Sequence, residues 1–115
     1  MAAVNIVNVT SINGFNLAGA VTTSATDVID VPADVIYKIN TILIANVDGT
    51  NAADLNIDHN DGSTTAALVS TLSVPADSAV NPIGGKLVLE AADTLRAWAG
   101  AASDLELTLS VLEIS

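Results

Sequence analysis

The chain has 115 residues, half of them apolar, and a formal charge of −10 that comes from 13 acidic side chains against Lys38, Lys86 and Arg96. This length fits one domain, and the acidity argues against nucleic acid as a partner. The absence of cysteine excludes disulfides, thiol catalysis and cysteine-ligated metal sites. The apolar runs are too short to span a membrane, so no membrane partner is expected either.

The first 26 residues carry no charged side chain and are rich in Asn, Thr, Ser and Ala. They have two interpretations: an extended N-terminal arm that lies along a neighbouring subunit, or an ordinary first strand pair. Residues 1–26 are therefore separated from a rigid domain predicted over residues 27–115. As an arm, the segment would use apolar interface anchors, which are Val4, Ile6, Val9, Ile12, Phe15 and Leu17.

Further along, short apolar stretches alternate with turn residues. Residues 35–47 are β-branched and apolar on both faces, as in a central strand, with Thr41 and Leu43 placed on the same face as Ile39. A turn at residues 48–51 leads into a strand around residues 55–58. A second turn at residues 61–63 leads into residues 67–74, which Pro75 closes. These segments predict consecutive antiparallel strands.

The C-terminal part adds a hairpin from residues 87–89 and 94–98, and then the clearest alternation in the chain. In residues 105–111, apolar and polar side chains follow a period of two, which places one face in the core. Without any long amphipathic helix, the pattern predicts an all-β fold. We expect a single antiparallel β-sandwich, jelly-roll-like, with about seven or eight strands and an extended N-terminal arm.

The sequence Val-Pro-Ala-Asp occurs twice, at residues 31–34 and 74–77. The flanking residues do not repeat, so an internal duplication is not supported. Proline fixes φ and removes an amide donor, and the shared sequence is therefore interpreted as a shared strand end.

The residues offer little chemistry. His59 is the only histidine, and it stands in Asp58-His59-Asn60-Asp61-Gly62, whose spacing does not match a calcium loop. A solvated turn is the favoured interpretation. No Gly-x-Ser-x-Gly motif accompanies the histidine, so a serine hydrolase is disfavoured. We therefore predict no catalytic residue, no metal and no cofactor, and the chain is not expected to be an enzyme.

Trp98 has three interpretations. Its small neighbours Ala97, Ala99 and Gly100 leave room for it to act as an interface anchor or as a platform on which a sugar ring stacks. Packing in the core is the third interpretation and the favoured one. Trp98 is nevertheless kept as a candidate interface residue.

The segments from residue 31 onward resemble, in their order, a group of small virion proteins of tailed bacteriophages. The resemblance rests on Val31-Pro32-Ala33, Tyr37-Lys38-Ile39, residues 44–51, Val74-Pro75-Ala76, residues 86–95 and residues 110–114. Such proteins often carry Gly-Asp before the penultimate strand. This chain has Ala92-Asp93 there, which disfavours a turn with positive φ.

The resemblance implies a non-enzymatic β-sandwich in the virion, made in the host cytoplasm. The favoured function is a capsid decoration or cement protein that forms a symmetric homo-oligomer, with a trimer expected, on other virion proteins such as the major capsid protein. The alternative is a tail, neck or fibre-tip protein that acts as an adaptor or as a carbohydrate- or receptor-binding module. In that alternative, Trp98 and the loops around residues 48–51 and 58–61 would make the contacts.

Overall fold

The computed structural model describes residues 11–83 and 87–115, and the predicted anchors Val4, Ile6 and Val9 lie outside these residues. The described residues are all-β and contain no helix, hence no helix that could cross a membrane. They form nine strands, where the sequence predicted seven or eight. The strands are β1 (Ile12–Ala20), β2 (Thr26–Asp30), β3 (Ile36–Asn46), β4 (Ala53–Asn60), β5 (Thr65–Val74), β6 (Ala79–Val80), β7 (Leu87–Leu89), β8 (Thr94–Ala99) and β9 (Leu105–Ile114).

The strands form two antiparallel sheets, which confirms the predicted all-β antiparallel class. The five-stranded sheet has the order β1-β9-β3-β6, with β7 also paired to β3. The four-stranded sheet has the order β2-β8-β4-β5. Strands that are distant in sequence are therefore neighbours in space, and the last strand, β9, lies between β1 and β3.

A single cluster of buried aliphatic side chains joins the two sheets. The alternation of β9 places Leu105, Leu107, Leu109 and Val111 in this cluster, each at most 6% exposed. Burying each such side chain stabilises the fold by about 1.5–3 kcal/mol. The four-stranded sheet contributes, among others, Ile29, Leu55, Ile57, Leu95, Ala97 and Ala99.

A β-bulge in β3 corrects the predicted faces of that strand. The register of β3 with β9 shifts between Ile39 and Thr41, so one extra residue enters the strand there. As a result Ile39, Ile42 and Ile44 are all buried, while Thr41 and Leu43 point away from the core. A uniform period of two had placed Thr41 and Leu43 with Ile39, and that assignment was wrong.

The two Val-Pro-Ala-Asp segments form turns of the same geometry. In each, the valine is buried, the proline is exposed and the aspartate has a positive φ, 64° at Asp34 and 54° at Asp77. Aspartate tolerates the left-handed region better than most residues because its short side chain can hydrogen-bond locally. The repeated sequence thus marks a repeated turn.

Ala92 also adopts a positive φ, of 69°, in the turn before β8. The absence of glycine had argued against this conformation. Two hydrogen bonds hold the turn in place: the amide of Asp93 donates to the carbonyl of Glu90, and the amide of Glu90 donates to the Asp93 carboxylate, both at 3.0 Å. These bonds offset the cost of the left-handed alanine.

Candidate interface surface

The predicted interface residues that the structure describes lie on two separate strands. Ile12, Phe15 and Leu17 are on β1, in the five-stranded sheet, whereas Trp98 is on β8, in the four-stranded sheet. The structure places the first three along one strand, with Ile12 on the outer face of the sheet and Phe15 and Leu17 on the face toward the core, and it places Trp98 on a different surface. Their role in an interface stays a prediction.

The strand β1 lies at the edge of its sheet. It pairs with β9 along its full length, from Ile12 opposite Ile114 to Ala20 opposite Glu106, without a register shift. On its other side, β1 has no strand partner among residues 11–83 and 87–115. Its sequence contains neither a charged residue nor a proline. This edge therefore offers a straight row of backbone donors and acceptors.

The other sheet edges in the described part of the chain each carry a feature that hinders further pairing. The edge strand β2 has two aspartates, Asp27 and Asp30, and a register shift after Asp27. The edge strand β5 has two register shifts and a residue of positive φ, Thr71. The strands β6 and β7 contain two and three residues. Charges, bulges and shortness are the usual means of blocking edge association, and β1 lacks all of them.

An apolar groove runs beside this edge. It has a volume of about 180 Å³ and is lined by Leu17, Ala18, Gly19, Ala20, Val28 and Leu107. Val28 belongs to β2, so the groove lies between the edges of the two sheets. A Cβ atom placed on Gly19 would meet nothing within 4 Å, which shows how open the groove is there. Leu17 itself is 36% exposed.

Phe15 is engaged within its own chain. Its ring meets the ring of Tyr37 edge to face, with 5.4 Å between the centroids, and both pack against the core cluster. Burial, followed by the charge of Glu113 and a hydrogen bond to it, raises the pKa of Tyr37. This contact fixes the start of β1 against β3 and β9.

A second exposed apolar surface lies on the outer face of the five-stranded sheet. The register places Ile12, Ile114 and Ile36 side by side across three strands. In the next row, Leu112 and Val88 flank Lys38. This patch is adjacent to the point where residues 1–10 join the described structure.

Trp98 lies half-buried on the outer face of the four-stranded sheet, beside the ion pair of Arg96 and Asp58, so the favoured interpretation, packing in the core, was wrong. The Arg96 guanidinium is 5.9 Å from the Trp98 ring centroid, a cation–π distance. Arg96 also donates two hydrogen bonds to Asp58, of 2.9 and 2.6 Å. These bonds and the charge of Asp58 raise the pKa of Arg96. The ion pair and the indole form one polar and aromatic surface.

His59 lies in β4 rather than in a solvated turn, so that interpretation was wrong. Its Nε2 is 3.2 Å from Oδ2 of Asp93, whose other oxygen is buried without a partner among the described residues. In the described contacts the ring meets no Ser or Thr hydroxyl. Residues 11–83 and 87–115 contain no group of three His, Asp or Glu side chains placed to hold a metal.

The sequence did not reveal the pairs Asp58–Arg96 and His59–Asp93, whose members are 38 and 34 residues apart. Each depends on the antiparallel register of β4 with β8, which puts Asp58 opposite Arg96. A correct pairing of these two strands would have predicted the first pair. Nothing in the local sequence indicates it.

No family model matches the chain, and no curated protein matches it. Among solved structures, a subunit of the Bacillus endospore appendages, a novel family of disulfide-linked pili, is similar with a TM-score of 0.54. The identity is 14%, over 99% of this chain and 95% of that one. At this identity the match shows a shared fold. Because this chain has no cysteine, the disulfides of those pili have no counterpart here.

Two viral structures are similar at a lower level. A pentameric capsid protein from metagenomic phage sequences has a TM-score of 0.39 and 21% identity, over 96% of this chain and 62% of that one. The VP2 subviral particle of infectious bursal disease virus has a TM-score of 0.41 and 13% identity, over 90% of this chain and 32% of that one. TM-scores below 0.5 are too low for a shared fold to follow.

Proposed function

We propose that the chain is a non-enzymatic structural subunit of a bacteriophage virion, in the role of a capsid decoration or cement protein. In this proposal, a jelly-roll-like sandwich forms a symmetric homo-oligomer of three copies on the major capsid protein. The protein is made in the host cytoplasm and ends in the virion. The order of sequence segments from residue 31 onward supports the viral assignment, and the all-β fold is compatible with it.

The main support for self-assembly is that the edge strand β1 lacks the features that normally block pairing with another chain. Its nine residues carry no charge, proline or bulge, they have no strand partner other than β9 in the described part of the chain, and an open apolar groove lies beside them. Soluble monomers ordinarily block such an edge because it promotes association with another chain. The endospore appendage subunit, which shares the fold, also belongs to a repetitive assembly.

Residues 1–10 are the proposed contact between copies, with Val4, Ile6 and Val9 as anchors. This segment contains no charged side chain, whereas the remainder of the chain carries all 13 acidic residues. It can therefore approach another acidic copy without repulsion from its side chains. Ile12 and Leu17, which are 60% and 36% exposed, add apolar surface on the outer face and on the core-side face of β1, respectively.

The test is the molar mass of the purified chain, measured by sedimentation velocity as a function of concentration. The proposal predicts a discrete oligomer for the full chain and a monomer after deletion of residues 2–10. Because the first described strand begins at Ile12, circular dichroism should show the same β spectrum for both proteins. A full chain that stays monomeric at high concentration would refute the self-assembly.

A second candidate is a carbohydrate- or receptor-binding module at a tail or fibre tip, and the surface formed by Trp98, Arg96 and Asp58 is what favours it. A half-buried indole flanked by charged hydrogen-bonding groups has the composition of a sugar-binding surface. A glycan array decides this point. Binding that is lost in Trp98→Ala supports the candidate, and no binding by the unmodified chain rejects it.

A further inference from the structure

We propose that the edge of β1, together with the groove beside it, receives residues 4–9 of a second copy as an added β-strand. This inference rests on the proposed self-assembly and names the surface that each copy offers to its neighbour. The donor is the uncharged segment that precedes β1. The acceptor is the side of β1, from Ile12 to Ala20, that has no strand partner among residues 11–83 and 87–115.

The backbone of β1 sets the first requirement. Nine consecutive residues pair with β9 in regular register, so the opposite side of β1 presents hydrogen-bonding groups at the same regular spacing. A six-residue strand at about 3.4 Å per residue spans roughly 20 Å. Residues 4–9 therefore fit within the length of the edge, and Thr10 connects them to Ser11 of their own copy.

Because the groove beside β1 is apolar, a strand added there needs apolar side chains at alternate positions. Successive side chains of an added strand point to opposite faces, so every second one faces the groove. Residues 4–9 read Val-Asn-Ile-Val-Asn-Val, with Val4 and Ile6 on one face and Val7 and Val9 on the other. A cavity of roughly 150 Å³ holds a benzene-sized molecule, so about 180 Å³ beside Leu17 and Gly19 accommodates an aliphatic side chain of the donor.

The distribution of charge also favours residues 4–9 as the donated segment. The chain has a net charge of −10, and Arg96, one of its three cationic side chains, is already engaged by Asp58. Two bodies of this charge repel each other at most surfaces. The strand β1 and residues 1–10 lack charged side chains altogether, so they can meet without a charged side chain being desolvated.

The path of the chain at Ser11 indicates that the strand added to β1 comes from a second copy and not from the same copy. The amide of Ser11 donates to the carbonyl of Ser115, and the amide of Ser115 donates to the carbonyl of Ser11, at 3.0 and 2.9 Å. The ladder thus continues through residue 11. A tight hairpin back onto β1 would place Val9 and Thr10 in the turn. Two-residue hairpin turns need positive φ and favour Gly, Asn or Asp, which β-branched residues replace poorly.

The test compares Leu17→Glu with Leu72→Glu in the full chain. The two leucines are 36% and 37% exposed and both lie on edge strands, so the substitutions are closely matched. Only Leu17 lines the groove. We expect Leu17→Glu to weaken self-association by about 30-fold or more and Leu72→Glu to change it less than about threefold, as measured by sedimentation.

Hydrogen exchange of the unmodified full chain provides a measurement that does not depend on the folding of a variant. Because an added strand occupies the free side of β1, the alternate β1 amides that do not donate to β9 should gain protection as the concentration rises through the association range, while those of β5 should not. Protection of β1 that is already complete in the monomer would mean that the same copy covers the edge, and it would overturn the proposal.

Three outcomes decide between this inference and the proposed function, and the first of them separates the two. If the full chain assembles but Leu17→Glu assembles equally well and β1 gains no protection, the acceptor surface is wrong and the self-assembly stands. If the full chain does not assemble at any concentration, both fail. Loss of assembly in Leu17→Glu alone, with concentration-dependent protection of β1, supports both.

Discussion

The buried side chain of Asn46 connects the turn that follows β3 with the last residue of β5. Its Nδ2 donates to the carbonyls of Asn51 and Val74, at 3.0 and 2.9 Å, and its Oδ1 accepts from the amide of Asp48 at 2.9 Å. The residue is 3% exposed, so water cannot substitute for these bonds. Asn46 therefore fixes the turn after β3 against the end of β5.

Asn46→Asp should destabilise the fold by about 3 kcal/mol, because it removes two donors and places a carboxylate against two carbonyl oxygens. The matched control is Asn40→Asp on the same strand, where the side chain is exposed, with an expected change within about 0.5 kcal/mol. Urea unfolding at neutral pH measures both. Equal effects of the two substitutions would show that the hydrogen bonds of Asn46 do not stabilise the turn.

Asp61 gives the stability a defined dependence on pH. Its carboxylate accepts hydrogen bonds from the amides of Thr64 and Ser63, at 2.8 and 3.0 Å, and these bonds lower the pKa of Asp61. A carboxyl whose pKa is lower in the folded state stabilises the fold above its unfolded pKa. That contribution is lost as the pH falls through the folded pKa.

Asp61→Asn should therefore flatten the acid side of the stability curve. The asparagine oxygen can still accept the same bonds, but it does not titrate. Between about pH 5 and about pH 2, the unmodified chain should lose more free energy of unfolding than the variant. Asp30→Asn, at an exposed carboxylate with no hydrogen bond to a backbone amide among the described residues, is the control. Identical slopes for all three proteins would contradict the role of Asp61.

The sequence predicted the conformation of a residue well where it depends on neighbouring residues in the chain. It predicted the surroundings of a residue poorly where they depend on which strands pair. The turn at residues 61–63 follows from Asp and Gly, and Gly62 has the positive φ expected of it, 101°. The burial of Asp58 could not be predicted, because its partner, Arg96, comes 38 residues later. An acidic residue next to a turn has no local feature that separates a buried ion pair from a solvated side chain.

At the scale of elements, alternation predicted β9 and failed in β3. In β9, the residues from Leu105 to Val111 alternate as the sequence indicated, and only then does the pattern change. In β3 the bulge after Ile39 inserts one residue, and a change of one residue reverses the face of all that follow. A bulge of this kind depends on the partner strand and carries no mark in the sequence of β3 itself.

The two faces of β9 should respond very differently to truncation. Leu109 is fully buried between the sheets, so Leu109→Ala should cost about 2–5 kcal/mol in free energy of unfolding. Leu112 is only partly buried and points to the outer face, so Leu112→Ala should cost about 1 kcal/mol or less. Chemical denaturation of both variants measures the difference. A larger loss for Leu112→Ala would show that the outer face is covered.

At the scale of the whole molecule, the acidic body and its uncharged N-terminal segment suggest how copies would meet. A segment that passes from one copy to the edge of the next makes a head-to-tail contact, which closes into a ring if the rotation between copies allows it and otherwise continues as a filament. The proposed trimer is the closed case.

The fold class of the whole molecule could be predicted from composition and periodicity, whereas its assembly could not. Short alternating strands without helices indicated two antiparallel sheets, which the structure has. The sequence alone did not show that Ile12–Ala20 is an edge strand, because that depends on β9 pairing with it from the far end of the chain. Whether residues 1–26 form a unit apart from residues 27–115 stays a prediction.

A cryo-EM map of the oligomer formed by the purified full chain tests the central claim most directly. We expect a closed symmetric ring in which an extra strand, traceable to residues 4–9 of the neighbouring copy, lies along β1 of each subunit. Copies that meet through the Trp98 face, or through the outer face of the five-stranded sheet with β1 left free, would contradict it.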